Sequence, residues 1–247
     1  MQLWLAGTNA WFVAPDGPGG ECVLVDAPPN PGVILAHLVE HDLRLVALLG
    51  THGHVDHVGG IPEVVRAVET DVPVPVHIHD ADRHMLLDPV GTSGTLGQLL
   101  EYEGLDLRPP ELLCGLDDGQ RVSGAGMTFT AIHTPGHTQG SVCFLLEVDG
   151  EAPVLFSGDH LFAGSVGRTD LPGGSHAALL ESMATKILPL DDEVRVLPGH
   201  GTTTTIGHER RANPFLVGLT SPSGASDDPA VLPVPGDVVA DGVGDVG

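Results

Sequence analysis

The sequence predicts an α/β protein of the α+β kind, with two packed mixed sheets and helices on their outer faces. Two observations lead there. Apolar, strand-like runs come in two blocks, each interleaved with segments of helical periodicity, and two sheets packed on each other with helices outside fit that order. The apolar residues, 41% of the chain with only 4% aromatic, are mainly Val, Leu, Ile and Ala, while 34 Gly and 21 Pro favour many turns and short elements.

The first block opens with strands at residues 9–13 and 22–26, separated by the Pro and Gly residues of 15–20. Residues 31–41 read as a helix with Ile34, Leu35, Leu38 and Val39 on one face. Residues 45–49 form a buried strand, Gly59-Gly60 opens a helix to about Val68, and 74–78 is a further strand. Residues 88–110 are rich in Gly, Pro and Thr and show little periodicity. They predict a long loop or insertion with a short helix near 96–101. The second block has strands at 127–133, 141–148 and 154–157. A helix follows at 175–188, with Leu180, Met183, Ile187 and Leu188 at helical spacing. A last strand at 194–197 precedes a terminal helix at 206–216. One domain over residues 1–218 is expected. Residues 219–247, Pro, Gly, Ser, Asp and Val without pattern, predict a disordered tail.

Formal net charge is −23, with nine arginines and the single lysine Lys186. Such a chain repels nucleic acid and anionic membrane surfaces, so neither is an expected partner. Cys22, Cys114 and Cys143 are odd in number and widely spaced, which suits reduced thiols better than a disulfide framework. Residues 1–13 lack a basic leader pattern, and no apolar run approaches membrane-spanning length. A cytoplasmic location is the expectation.

The chemistry concentrates after the apolar run 45–49. His52, His54, Asp56 and His57 put three imidazoles and a carboxylate within six residues. Buried without partners they would be costly, and no cation stands in the local sequence to neutralise Asp56. Zinc or a similar divalent ion removes both difficulties. Three more turns after apolar strands carry ligand-type residues beside glycine: His137 in Pro135-Gly136-His137, Asp159 in Gly158-Asp159-His160, and His200 in Pro198-Gly199-His200. His52, His54, Asp56, His57, His137, Asp159 and His200 are therefore the candidate metal ligands.

In that order these residues resemble the metallo-β-lactamase superfamily, over roughly residues 9–215. The resemblance implies an αββα sandwich with a two-metal centre along one sheet edge. His52, His54 and His137 would hold one metal, and Asp56, His57 and His200 the other. Asp159 would bridge them together with a hydroxide. Asp56, His57 and Asp159 become the implied catalytic residues, and two divalent ions, most simply zinc with iron or manganese as alternatives, the implied cofactors. Asp26 resembles a superfamily aspartate that orients ligands from behind.

The runs 158–162, 164–170, 198–201 and 206–215 are most similar to glyoxalase II, and particularly to its short bacterial form. That implies hydrolysis of a thioester of a low-molecular-weight thiol as the partner molecule. Coordination would lower the pKa of water from 15.7 to about 7 to make the nucleophile. Zinc β-lactamases of the commonest type carry Cys where Asp159 stands, which points away from lactam cleavage. Arg168 stands where the family has a basic residue for the glutathione end of its substrate, and Asp170 replaces a family tyrosine. Only 47 residues follow His200, where full-length glyoxalase II has a helical glutathione-gripping domain. A mononuclear-iron persulfide dioxygenase and a lactone hydrolase are the alternatives of the same fold. For His160, beside Asp159, positions behind the ligands and facing the substrate are both open. His133 is expected to be structural, and His77, His79 and His84 to be surface or capping residues.

Overall fold

The structure, a computed structural model, describes residues 1–68 and 72–219. The expected tail therefore lies, except for residue 219, outside the described residues. Five strands make the first sheet, in the order Trp11–Val13, Glu21–Val25, Arg44–Leu49, Val76–His77 and Leu113–Cys114. Its first pair is antiparallel and the rest are parallel. Six strands make the second, in the order Thr204–Thr205, Arg195–Pro198, Val154–Gly158, Val142–Leu146, Met127–His133 and Arg121–Gly124. Here only the 154–158 and 195–198 pair runs parallel.

Strand periodicity explains the layering, because successive side chains face opposite ways. Val23, Val25, Ala47 and Leu49 of the first sheet meet Phe129, Ala131, Phe144 and Phe156 of the second between the sheets. Their neighbours Cys22, Leu24 and Leu48 face outward onto Ile34 and Leu38 of helix Pro31–Glu40 and Val64 and Val65 of helix Ile61–Val68. On the opposite side Cys143, Leu155 and Val196 pack against Met183, Ile187 and Ile206. The result is helix, sheet, sheet, helix, as the sequence predicts. All three cysteines are free, with Cys22 and Cys143 buried. Among the described residues no helix is long and apolar enough to cross a membrane.

Besides a terminal helix that stops at Ala212 and an unexpected short helix, Arg83–Leu87, two elements differ most from expectation. Residues 88–110 are not a loop with one short helix: Pro89–Glu103 is helical, broken at Gly94 (φ 53°, ψ −123°). Asp88 caps it by accepting from the Gly91 amide, Pro89 takes the first turn, and Gly104 ends it in the left-handed region. These end signals override a composition of Gly and Thr that blurs the periodicity. The predicted helix 175–188 is α-helical only over His176–Ser182 and continues as a π-helical turn, Met183–Ile187.

Candidate metal centre

Every candidate ligand sits where a strand ends at one edge of the sandwich. Strand Arg44–Leu49 runs into His52 and His54 and into the one-turn helix Val55–Val58, which carries Asp56 and His57. Met127–His133, Val154–Gly158 and Arg195–Pro198 deliver His137, Asp159 and His200. Both sheets thus contribute, and the seven side chains converge. His52, His54 and His137 form one group whose donor atoms lie within 4.8 Å of one another, and Asp56, His57 and His200 form a second.

The rings are aimed from behind. Asp26 accepts from the Thr51 amide and hydroxyl, both at 2.8 Å, and from His57 Nδ1 at 2.7 Å. Since the Thr51 hydroxyl donates to Asp26, it accepts from His52 Nδ1 (3.1 Å). His137 Nδ1 donates to the Arg168 carbonyl at 2.8 Å and His200 Nδ1 to the Ala6 carbonyl at 3.2 Å. Each of these contacts fixes the proton on Nδ1 and turns the Nε2 lone pair inward. Inside, His54 Nδ1 lies 2.8 Å from His137 Nε2 and 3.1 Å from His52 Nε2, and His57 Nε2 lies 3.2 Å from His200 Nε2. Among His52, His54 and His137, lone pairs facing each other at such distances repel unless a cation lies among them, and at His57 and His200 a cation, proton or metal, is likewise favoured. Ligand atoms about 2.0 Å from a tetrahedral ion are themselves separated by about 3.3 Å. Asp159 Oδ1, buried, has no hydrogen-bond donor although His57 Nε2 is 3.2 Å away. These orphaned groups fit a metal, and the His/Asp cluster is capable of binding one.

Electrostatics agree. Burial lowers the pKa of His52 far below its usual range and that of His54 to about 4, so both rings are neutral donors. At His57 burial opposes the charge, but the carboxylates of Asp159, Asp56 and Asp26 outweigh it and raise the pKa well above normal. His200 is raised to about 9: burial opposes this, and Asp159 and Asp56 overcome it. Burial also opposes ionisation of Asp56, yet His57 and His200 hold its pKa down to about 2. This half of the site is a concentration of negative charge that attracts cations.

Glycine lets the backbone come this close. A Cβ at Gly199 would lie 2.3 Å from Asp159 Oδ1 and 2.6 Å from His57 Cε1. Gly199→Ala is therefore expected to cut turnover about 100-fold by displacing both groups, with a stability cost of about 1–3 kcal/mol from overpacking. Steady-state kinetics and a thermal melt read the two effects, and wild-type turnover would count against the packing argument. Gly158, at φ +48°, faces Thr51 with no room for a side chain.

Asp26 stands behind the ligands, as the sequence analysis expects. His160 is 1% exposed, with both ring nitrogens unpartnered, and it does not line the cavity over the site, so it faces protein rather than substrate. Arg168 does line that cavity, but its guanidinium is held by Asp170 at 2.7 and 2.6 Å. His133 stacks on His79, its ring bonded to the Gln139 carbonyl. Sequence reasoning missed Asp82. Buried at 1% exposure, it accepts from the Gly53 amide (2.9 Å), the Thr138 hydroxyl (2.6 Å) and the Gly140 amide (2.8 Å). It thereby ties the loop of His52 and His54 to the loop of His137. Its place just beyond strand Val76–His77, at the ligand-bearing edge, was the available signal. Also missed was the N-terminal segment around Thr8, whose hydroxyl bonds Asp56 Oδ2 at 3.1 Å.

Two back-to-back sheets with a His/Asp cluster at their shared edge define a metal-site protein of the αββα type. The chain belongs to the metallo-beta-lactamase superfamily, whose model matches residues 3–200. An uncharacterised protein of Mycobacterium tuberculosis is 42% identical over 214 residues, covering 85% of this chain and 93% of its own. The hydroxyacylglutathione hydrolase GloC of Haemophilus influenzae is 34% identical, covering 87% and 90%. Among solved structures, the B3 metallo-beta-lactamase BLEG-1 superposes with a TM-score of 0.77 at 38% identity, covering 88% of this chain and 98% of its own. A protein crystallised in a di-iron-bound form gives 0.69 at 37%, covering 87% and 98%. The family and the cluster together make the protein a metal-dependent hydrolase.

Proposed function

We propose that the protein is a dinuclear metallohydrolase that cleaves the thioester of a low-molecular-weight thiol, in the manner of a hydroxyacylglutathione hydrolase. The reading rests on the Asp159 carboxylate. Its oxygens lie 3.2 Å from His57, 3.4 Å from His200 and 3.6 Å from His137, and so touch nitrogens of both triads. His52, His54 and His137 would hold one ion, Asp56, His57 and His200 the other, with Asp159 shared. Zinc suits this donor set, as do iron and manganese. When bound, the ions supply a water of lowered pKa and an electrophile for the carbonyl oxygen.

The chain's own residues do the rest. Asp26, Thr51 and the carbonyls of Ala6 and Arg168 keep the rings in their donor tautomers. Asp56 and Asp159, both held ionised, supply the negative charge that would hold the two ions. Phe162 and Val166 give the cavity wall beside the site an apolar surface. One water oxygen bonds to the acyl carbon and the carbon–sulfur bond breaks. The sulfur leaves with its electron pair and takes up a proton, giving acid and thiol. A thiolate is a good leaving group and needs little general-acid help.

The likeness to GloC favours a thioester. The likeness to BLEG-1 favours β-lactam hydrolysis as the second reading, despite aspartate at position 159. The Asp56, His57 and His200 triad favours either over a single-iron persulfide dioxygenase. Metal content and turnover measured on one preparation test the proposal. About two ions per chain and cleavage of thioesters faster than of a chromogenic cephalosporin are expected. About one iron, with oxygen uptake on glutathione persulfide, would overturn it.

A further inference from the structure

We propose that the substrate's thiol half carries no carboxylate: the cavity takes a neutral, largely apolar thioester. This rests on the thioesterase reading and names its substrate class. The cavity over the metal cluster has a volume of about 1220 Å³, room for far more than a small acyl group. Met85, Leu96, Phe162 and Leu171 give it apolar walls, and Thr92 and Gln139 add uncharged polar groups.

Cations decide what else can enter. The chain has ten Lys and Arg residues, and none falls in residues 69–71 or 220–247, so all ten lie in the described part. Of these only Arg168 lines the cavity. Asp170 holds its guanidinium in a two-pronged pair, Nε to Oδ1 at 2.7 Å and the second nitrogen to Oδ2 at 2.6 Å. The fork that would recognise a substrate carboxylate is already filled by one of the protein's own. His84, exposed at the rim, is the one other basic lining group outside the ligand cluster. A tripeptide thiol such as glutathione brings two carboxylates. They would enter a largely apolar cavity on a chain of net charge −23, whose one lining arginine is already paired with a carboxylate. A carrier without carboxylates meets no such penalty.

The test holds the acyl group constant. The metal-loaded protein is assayed on S-lactoylglutathione and on S-lactoyl-N-acetylcysteamine, with each rate divided by the ester's uncatalysed hydroxide rate. The neutral ester is expected to show kcat/KM at least about tenfold higher. Asp170→Asn, at an exposed position, frees Arg168. It should raise kcat/KM on the glutathione ester about fivefold or more and leave the neutral ester unchanged. A ratio below tenfold, or no gain in the variant, overturns the inference and leaves the thioesterase reading standing. No turnover of either ester overturns that reading itself.

Discussion

Asp159→Ala is expected to lower kcat/KM by about three orders of magnitude or more and to take the bound metal from about two ions per chain toward one. Asp159 is the carboxylate that reaches nitrogens of both triads, so its loss leaves two half-sites without a shared carboxylate ligand. The ring nitrogens stay in place, because Asp26, Arg168 and Ala6 hold them from behind. The defect should therefore appear first in metal stoichiometry and turnover, with the protein still folded. Removing Asp159 relieves its repulsion on Asp56 but also takes away the carboxylate that pairs with His57 and His200, so the metal-free thermal melt should fall. Elemental analysis, steady-state kinetics and a melt on one preparation separate these outcomes. Full metal content with activity within tenfold of wild type would remove Asp159 from the centre of the argument.

Asp82→Ala acts through structure. The change strands three donors, the amides of Gly53 and Gly140 and the hydroxyl of Thr138, around a space that a methyl group cannot fill. Buried hydrogen bonds to a charged group are each worth about 1.5–3 kcal/mol, and the three are not additive. A loss of about 3 kcal/mol is expected, and it should lower Tm by about 6–12 °C. The two loops joined here carry His52, His54 and His137, so metal affinity should fall about 10–100-fold, read by competition with a chromophoric chelator. Asp82→Asn keeps part of the network and should fall between the two. Wild-type Tm and affinity in the alanine variant would show the clamp to be idle.

The αββα layering was legible because strands in both sheets alternate between two buried faces. Val23 and Val25 face one way, Cys22 and Leu24 the other, and the run reads as continuously apolar. The seven ligand-type residues were legible because each follows an apolar strand, and strand ends share an edge. Asp82 was not, because its partners are backbone amides and a threonine in two distant loops. Such partners leave no mark in residue type. Helix Pro89–Glu103 was hidden for another reason: its signals lie in the caps at Asp88 and Gly104, while Gly94 interrupts its periodicity. Arg168 was read for its charge. Its carbonyl, which orients His137, could not be read from side-chain identity, nor could the capture of its guanidinium by Asp170.

The segment before the first sheet has a consequence for assembly. Asn9 donates its backbone amide to the Gly199 carbonyl at 2.7 Å and its side chain to the carbonyls of Pro198 and Gly201, and Trp11 Nε1 also bonds Pro198. The turn that carries His200 is thus clasped by residues almost two hundred positions earlier in the chain, so the clasp waits until the turn itself has been made. Contacts this distant in sequence form slowly. A nascent chain already displays the histidines of residues 52–57 long before the clasp can shut. Ion capture by the complete cluster therefore belongs to the end of folding, after both sheets have met.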